Sequence, residues 1–162
     1  MLRYWLLVLE TLDKALAKHY GWNCFKSGQR PVIEAILSGK DAIAVLPTGG
    51  GKSLCYQLPA LVRDGLVVVV SPLVSIMEDQ VMQLNKKGIL AGCIHSSLTL
   101  PRRNSLMHLL KEDKFRLLYL APERLKSRSI RQLLNEKTNK GKLVPIAIDE
   151  AHCISAWGHD FR

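Results

Sequence analysis

The residues best placed to do chemistry begin with Leu46-Pro-Thr-Gly-Gly-Gly-Lys-Ser53. Three successive glycines, Gly49, Gly50 and Gly51, let a backbone turn tightly and aim its N–H groups inward at an anion. A helix opening at Lys52 adds partial positive charge at the same place. Lys52 has the reach to touch β- and γ-phosphates, and the Ser53 hydroxyl is a hard oxygen donor for Mg²⁺. Thr48 joins the cradle ahead of the glycines. The usual phosphate-loop pattern starts with Gly where this chain has Leu46, so the assignment leans on Gly-Lys-Ser between a strand and a helix. The bland alternative is a glycine-rich turn.

A second constellation is Asp149-Glu150-Ala151-His152, directly after the apolar run Val144 to Ile148. Phosphoryl transfer needs one carboxylate on Mg²⁺ and another group to orient the attacking water. Asp149 suits the first role and Glu150 the second, as a general base. A solvated acidic pair at a strand end is the bland reading, and the phosphate loop earlier in the chain argues against it. His152, Cys153, His159 and Asp160 do not match the spacing of structural zinc sites.

The elements that must position these residues alternate. Trp5, Leu6, Leu9, Leu12 and Leu16 recur at helical spacing and predict a helix over Leu2 to Lys18. A loop over Tyr20 to Gly28 leads to a helix that has Pro31 in its first turn and runs to Leu37. Strands are predicted at Ala42–Leu46, Leu66–Val70, Leu90–Ile94, Phe115–Leu120 and Val144–Ile148. Helices are predicted at Lys52–Val62, from Ile76 to Gly88, at Thr99–Lys111 and at Ser129–Glu136, with a basic polar loop over Lys137 to Lys142. Five strands alternating with helices define an α/β fold, a mainly parallel sheet with helices on both faces and right-handed crossovers. Ligands of such sheets sit at the carboxyl ends of the strands, where every motif above falls.

Composition narrows the partners. The 162 residues suffice for one α/β core, and 48% hydrophobic content excludes a disordered chain. Lys and Arg number 23 against 14 Asp and Glu, a formal net charge of +9, which favours a polyanion. The four cysteines, Cys24, Cys55, Cys93 and Cys153, form no CxxC pair, which fits a reducing interior, cytoplasmic or nuclear. The apolar start carries Glu10 and Asp13 and lacks a cleavage site, so it reads as a helix and not a leader. No apolar run approaches the ~20 residues that span a bilayer, so no membrane partner is expected.

Beyond these patterns the chain resembles the RecQ DNA helicases, within the DEAH/DEAD-type superfamily 2 motors. The resemblance rests on Tyr20-Gly-Trp-Asn-Cys-Phe-Lys-Ser-Gly-Gln29, on the phosphate loop with Leu54-Cys-Tyr-Gln-Leu-Pro-Ala60, and on Ser71-Pro-Leu73 with Asp79-Gln80. It continues through Ala121-Pro-Glu-Arg-Leu125, Asp149-Glu-Ala-His152 and Cys153-Ile-Ser-Ala-Trp-Gly-His-Asp-Phe-Arg162. It implies a RecA-like P-loop NTPase domain over residues 21–162, preceded by a helix over 1–20. It implies ATP and Mg²⁺ as cofactors, single-stranded DNA and DNA with single-stranded overhangs as partners, and 3′-to-5′ polarity.

Residue by residue, the resemblance implies that Trp22 and Lys26 flank the adenine and that Gln29 hydrogen-bonds its edge, since a carboxamide both donates and accepts. The chain departs from the family pattern at Lys26, Ser27 and Trp22, where arginine, proline and tyrosine are usual. Trp157, Phe161 and Arg162 would contact single-stranded DNA and couple it to hydrolysis, aromatics stacking on bases and Arg pairing with phosphate. His152 would link the acidic box to that loop, and Ser71 and Arg124 lie in segments that touch the DNA backbone in such motors. The family also uses a second RecA-like domain that carries an arginine finger, so this chain alone is expected to bind Mg·ATP weakly and not to unwind DNA. Two other readings stand beside this one: an RNA helicase or duplex translocase motor, and a non-catalytic nucleic-acid-binding module.

Overall fold

The computed structural model describes residues 12–47 and 49–157, except the side chains of residues 156 and 157. The chain divides into two units, Met1–Asp64 and Gly65–Arg162.

In the first unit the helical residues 12–20 (α1) are followed by α2 (Gln29–Leu37) and α3 (Lys52–Val62). Leu12, Ala15 and Leu16 sit on one face of α1 at helical spacing and share a core with Ile33, Leu54, Cys55 and Leu58. Burial there pushes the Cys55 thiol up to about 11, so this cysteine stays protonated. Arg30 ties α2 down, pairing with Asp13 and lying 4.6 Å over the Phe25 ring.

One sequence expectation fails here. Ala42–Leu46 joins no ladder, residues 40–47 have no regular secondary structure, and Ile43 and Val45 are 94% and 92% exposed. An apolar run marks a demand for burial, but a strand exists only where a partner offers its backbone hydrogen bonds.

In the second unit four strands, β1 (Leu66–Val70), β2 (Ala91–Ile94), β3 (Leu117–Leu120) and β4 (Leu143–Ile148), form an all-parallel sheet in the order β2-β3-β1-β4. The connections are α4 (Val74–Lys86), α5 (Leu100–Lys111), and a 3-10 turn at Pro122–Lys126 followed by α6 (Arg128–Asn139). β1 is paired on both sides and every residue in it is buried, which is why it reads as an unbroken β-branched run. Leu66 and Val68 face a cluster with Ile94, Leu118 and Leu120 from the sheet, and Leu110, Ile130 and Leu133 from α5 and α6. Val67, Val69, Leu117 and Tyr119, on the opposite face, are buried as well, and α4 packs against β2. At the outer edge of β2, Asn85 of α4 completes the ladder. Its side chain donates to the Ala91 carbonyl at 3.1 Å and accepts from the Ala91 N–H at 3.0 Å.

α6 runs past its expected end at Glu136 to Asn139, so Lys137 belongs to the helix and not to a polar loop. Its side chain is buried and reaches Asp113, which holds a left-handed backbone at φ 57° after α5. A charged pattern reads as a loop, but a lysine stem can cover apolar surface while its ammonium finds a carboxylate at the rim.

The hydrogen bond from Lys137 holds the Asp113 carboxyl below the usual carboxylate range. That contribution to stability is present above the unfolded-state value of roughly 3.9 and is lost as pH falls through the depressed folded value. The urea midpoint of Asp113→Asn is therefore expected below that of the parent at pH 7, with the gap closing below about pH 4. A gap that stays constant with pH would remove the ion pair as its cause.

Candidate nucleotide site and nucleic-acid interface

The phosphate loop of the first unit is built on glycine backbone. Gly49 and Gly51 take φ 76° and 74°, which L-residues with side chains seldom adopt. Gly51 is the residue from which α3 springs, so Lys52 and Ser53 open the helix, at the end where its first N–H groups lack intrahelical partners. Gln29 is fully buried beside this turn. Its Nε2 donates to the carbonyls of Gly51 at 3.0 Å and Gly50 at 3.2 Å, and its Oε1 accepts the Lys26 N–H at 2.8 Å. The exposed Lys26 sends its ammonium to the Gly49 carbonyl at 2.8 Å. The first unit thus brings Lys26, Gln29, Gly49, Gly50, Gly51, Lys52 and Ser53 together. Trp22, 44% exposed, leans on Tyr20 with ring centroids 5.4 Å apart. The Tyr20 hydroxyl in turn donates to Gln57 of α3 at 2.9 Å. Thr48 lies outside the described residues.

In the second unit the strand register sets the site. Val70, Leu120, Ile94 and Ile148 pair in one rank across the sheet. The next residues are tied along the same edge: Ser71 N–H donates to Leu120 O, Ala121 N–H to Ile94 O and Asp149 N–H to Val70 O. Asp149 and Glu150 therefore emerge at the carboxyl end of the sheet, as the sequence indicated. Glu150 has a left-handed backbone at φ 51°. It begins a 3-10 turn at Ala151–Trp157, and its carbonyl accepts the Cys153 N–H at 2.8 Å. His152 Nδ1 lies 3.3 Å from the Glu150 carboxylate, with the imidazole largely exposed.

Ser71 and Arg124 lie at the same edge, after β1 and in the turn after β3. Ser71 Oγ and Arg124 Nε are both buried with no hydrogen-bond partner among the described residues. His95, at the end of β2, had no sequence signal beyond its place after a strand. It is buried there, with Nδ1 3.1 Å from Ser97 Oγ and Nε2 3.4 Å from Glu78. The Trp157 backbone closes the 3-10 turn, while Phe161, Arg162 and the Trp157 side chain lie outside the described residues.

A glycine cradle opening a helix and a carboxylate pair at the end of a parallel strand define a nucleotide-handling α/β domain. Residues 26–162 match the DEAD/DEAH box helicase family, and the chain belongs to it. It is similar to the ATP-dependent DNA helicase RecQ of Synechocystis, 45% identical over 94% of this chain and 32% of that protein. It is 51% identical to the probable ATP-dependent DNA helicase RecS of Bacillus subtilis, over 93% of this chain and 29% of that protein. It is 50% identical to RecQ of Haemophilus influenzae, over 94% of this chain and 24% of that protein. The chain thus spans a third or less of these relatives and corresponds to a helicase motor domain of RecQ type. Among solved structures, the DUF1998 helicase MrfA bound to DNA shares the fold, with a TM-score of 0.63 at 20% identity over 83% of this chain and 20% of that one.

The left-handed Glu150 backbone has a measurable consequence. A β-carbon in that conformation costs roughly 1–2 kcal/mol. Glu150→Gly is expected to unfold at higher urea than Glu150→Ala, by about 1 kcal/mol. Equal midpoints would show that this turn carries no backbone strain.

Proposed function

We propose that this chain is the ATP-binding motor domain of a 3′-to-5′ DNA helicase, working inside a longer intracellular protein of cytoplasmic or nuclear location. The observation that carries the reading is the phosphate loop: Lys52 and Ser53 open α3 immediately after a left-handed Gly51. ATP is the substrate of this site. The helix N-terminus and the glycine N–H groups cradle its phosphates, and Lys52 neutralises charge on the β- and γ-phosphoryl oxygens. Thr48 completes the cradle, and Trp22, Lys26 and Gln29 border the base.

The donor set suits magnesium, since the Ser53 hydroxyl and the Asp149 carboxylate are hard oxygen ligands. Bound there, Mg²⁺ would supply charge neutralisation between phosphoryl oxygens. Glu150 takes the proton from the attacking water as general base, and its backbone, fixed by the Cys153 N–H, aims that carboxylate.

Single-stranded DNA, including overhangs on duplexes, is the proposed track. Ser71 and Arg124 supply backbone contacts at the sheet edge, and Trp157, Phe161 and Arg162 supply stacking and a phosphate partner. His152, paired with Glu150, is the proposed link between the two halves of the work. A second RecA-like domain elsewhere in the full protein is the proposed source of an arginine finger, worth about 10³ to 10⁵ in rate in related enzymes.

The test is Mg·ATP affinity of the parent and of Lys52→Ala, with ATPase rates of the full-length protein on single-stranded DNA, duplex DNA and RNA. Lys52→Ala is expected to weaken binding by about tenfold or more, the size of a lost charge-assisted hydrogen bond. Stimulation is expected to be greatest with single-stranded DNA and to fall in Trp157→Ala. Equal ATP affinity in parent and Lys52→Ala would remove the phosphate-loop assignment, and stimulation by RNA alone would replace DNA as the track.

A further inference from the structure

Three successive carbonyls of the phosphate loop are held by two side chains. Lys26 Nζ binds the oxygen of Gly49 at 2.8 Å, and Gln29 Nε2 binds those of Gly50 at 3.2 Å and Gly51 at 3.0 Å. In a trans peptide the N–H points opposite to the C=O. Fixing these three oxygens therefore fixes the directions of the N–H groups of Gly50, Gly51 and Lys52. The first of them returns to Pro47 O at 2.9 Å. The other two are aimed away from Gln29, so the side opposite the carboxamide is the donor face of the loop.

Glycine has no conformational preference that would do this unaided. The two side chains supply the order that the glycine run lacks. The fit is close. A β-carbon at Gly51 would stand 2.5 Å from Gln29 Nε2, so only glycine at 51 admits the carboxamide to the two carbonyls. Gln29 is itself locked, because its Oε1 takes the Lys26 N–H at 2.8 Å and no part of the side chain is exposed. Lys26 thus acts twice, its N–H fixing Gln29 and its ammonium fixing Gly49.

We infer that Gln29 and Lys26 are positioning residues of the phosphate loop, orienting its N–H groups toward phosphate whatever base the nucleotide carries. This rests on the reading of Leu46–Ser53 as the ATP phosphate site. It differs in outcome from a role confined to the adenine edge. A residue that reads only the base changes ATP against GTP and leaves a base-free polyphosphate alone. A residue that orients the loop changes every polyphosphate alike.

The experiment measures binding of Mg·ATP, Mg·GTP and Mg·tripolyphosphate by calorimetry to the parent, Gln29→Ala, Gln29→Glu and Lys26→Met, with thermal unfolding of each. Gln29→Ala is expected to weaken ATP and tripolyphosphate by the same factor, about tenfold. Gln29→Glu retains the acceptor for the Lys26 N–H but loses the donor to Gly50 and Gly51, so it is expected to behave as the alanine variant does. Lys26→Met alters an exposed side chain, and is expected to unfold at the parent temperature while weakening tripolyphosphate several-fold. It decides the matter if the Gln29 variants do not fold. Unchanged tripolyphosphate affinity in these variants, with ATP-over-GTP preference lost in Gln29→Ala, would overturn the inference in favour of pure base reading. Failure of the parent to bind either ATP or tripolyphosphate would overturn the phosphate site itself, and the inference with it.

Discussion

The second unit depends on the parallel register that ends β1, β2, β3 and β4 in one rank. Val70 pairs with both Leu120 and Ile148, and Leu120 with Ile94. Each following residue is then tied to its neighbour strand by a backbone hydrogen bond of 2.8 to 3.1 Å. Side chains that are distant in sequence, Ser71, His95, Arg124 and Asp149, are thereby set on one edge. The rank is held by packing as much as by the ladder. Val68 and Leu118 lie at the centre of the cluster under α5 and α6, and Gly92 lets Phe115 close over β2, since a β-carbon there would stand 2.8 Å from the ring. A one-residue slip in any strand would turn its core side chains to the wrong face and carry its terminal residue off the edge.

The first unit solves a different problem. Its chemistry needs backbone, not side chains, and backbone of three glycines is intrinsically disordered in direction. The solution is to borrow side-chain donors from the turn before α2, where Lys26 and Gln29 reach the loop carbonyls. The cation–π contact of Arg30 on Phe25 and the pairing of Arg30 with Asp13 hold that turn against α1. The Leu12, Leu16 and Ile33 core then fixes α1 against α2 and α3.

Much of this was legible in the residues. Leu66–Val70 announced a strand buried on both faces, and Gly-Lys-Ser announced the opening of α3, because both depend on local chemistry that sequence states directly. Asp149 was placed at a strand end by the apolar run before it. What was not legible depended on partners. Ala42–Leu46 has the same apolar character as β1 but joins no ladder, and pairing is a property of two segments, not one. Lys137 read as part of a solvated loop until Asp113 was seen beside it. Gln29 and Lys26 were singled out through the family resemblance as base contacts. Their bonds to the loop carbonyls could not be read from spacing, because 20 or more residues separate the partners.

The central claim is that the carboxylates at the end of β4 turn bound nucleotide into work, with Glu150 as the base. Substituting Glu150→Gln preserves shape and removes the proton acceptor. The most direct measurement is Mg·ATP affinity and single-turnover hydrolysis in the full-length protein carrying that one change. The expected result is unchanged ATP binding with hydrolysis reduced by a factor of 10² or more, the usual contribution of a general base. Hydrolysis at the parent rate would contradict the account, since the proton would then be leaving by another route.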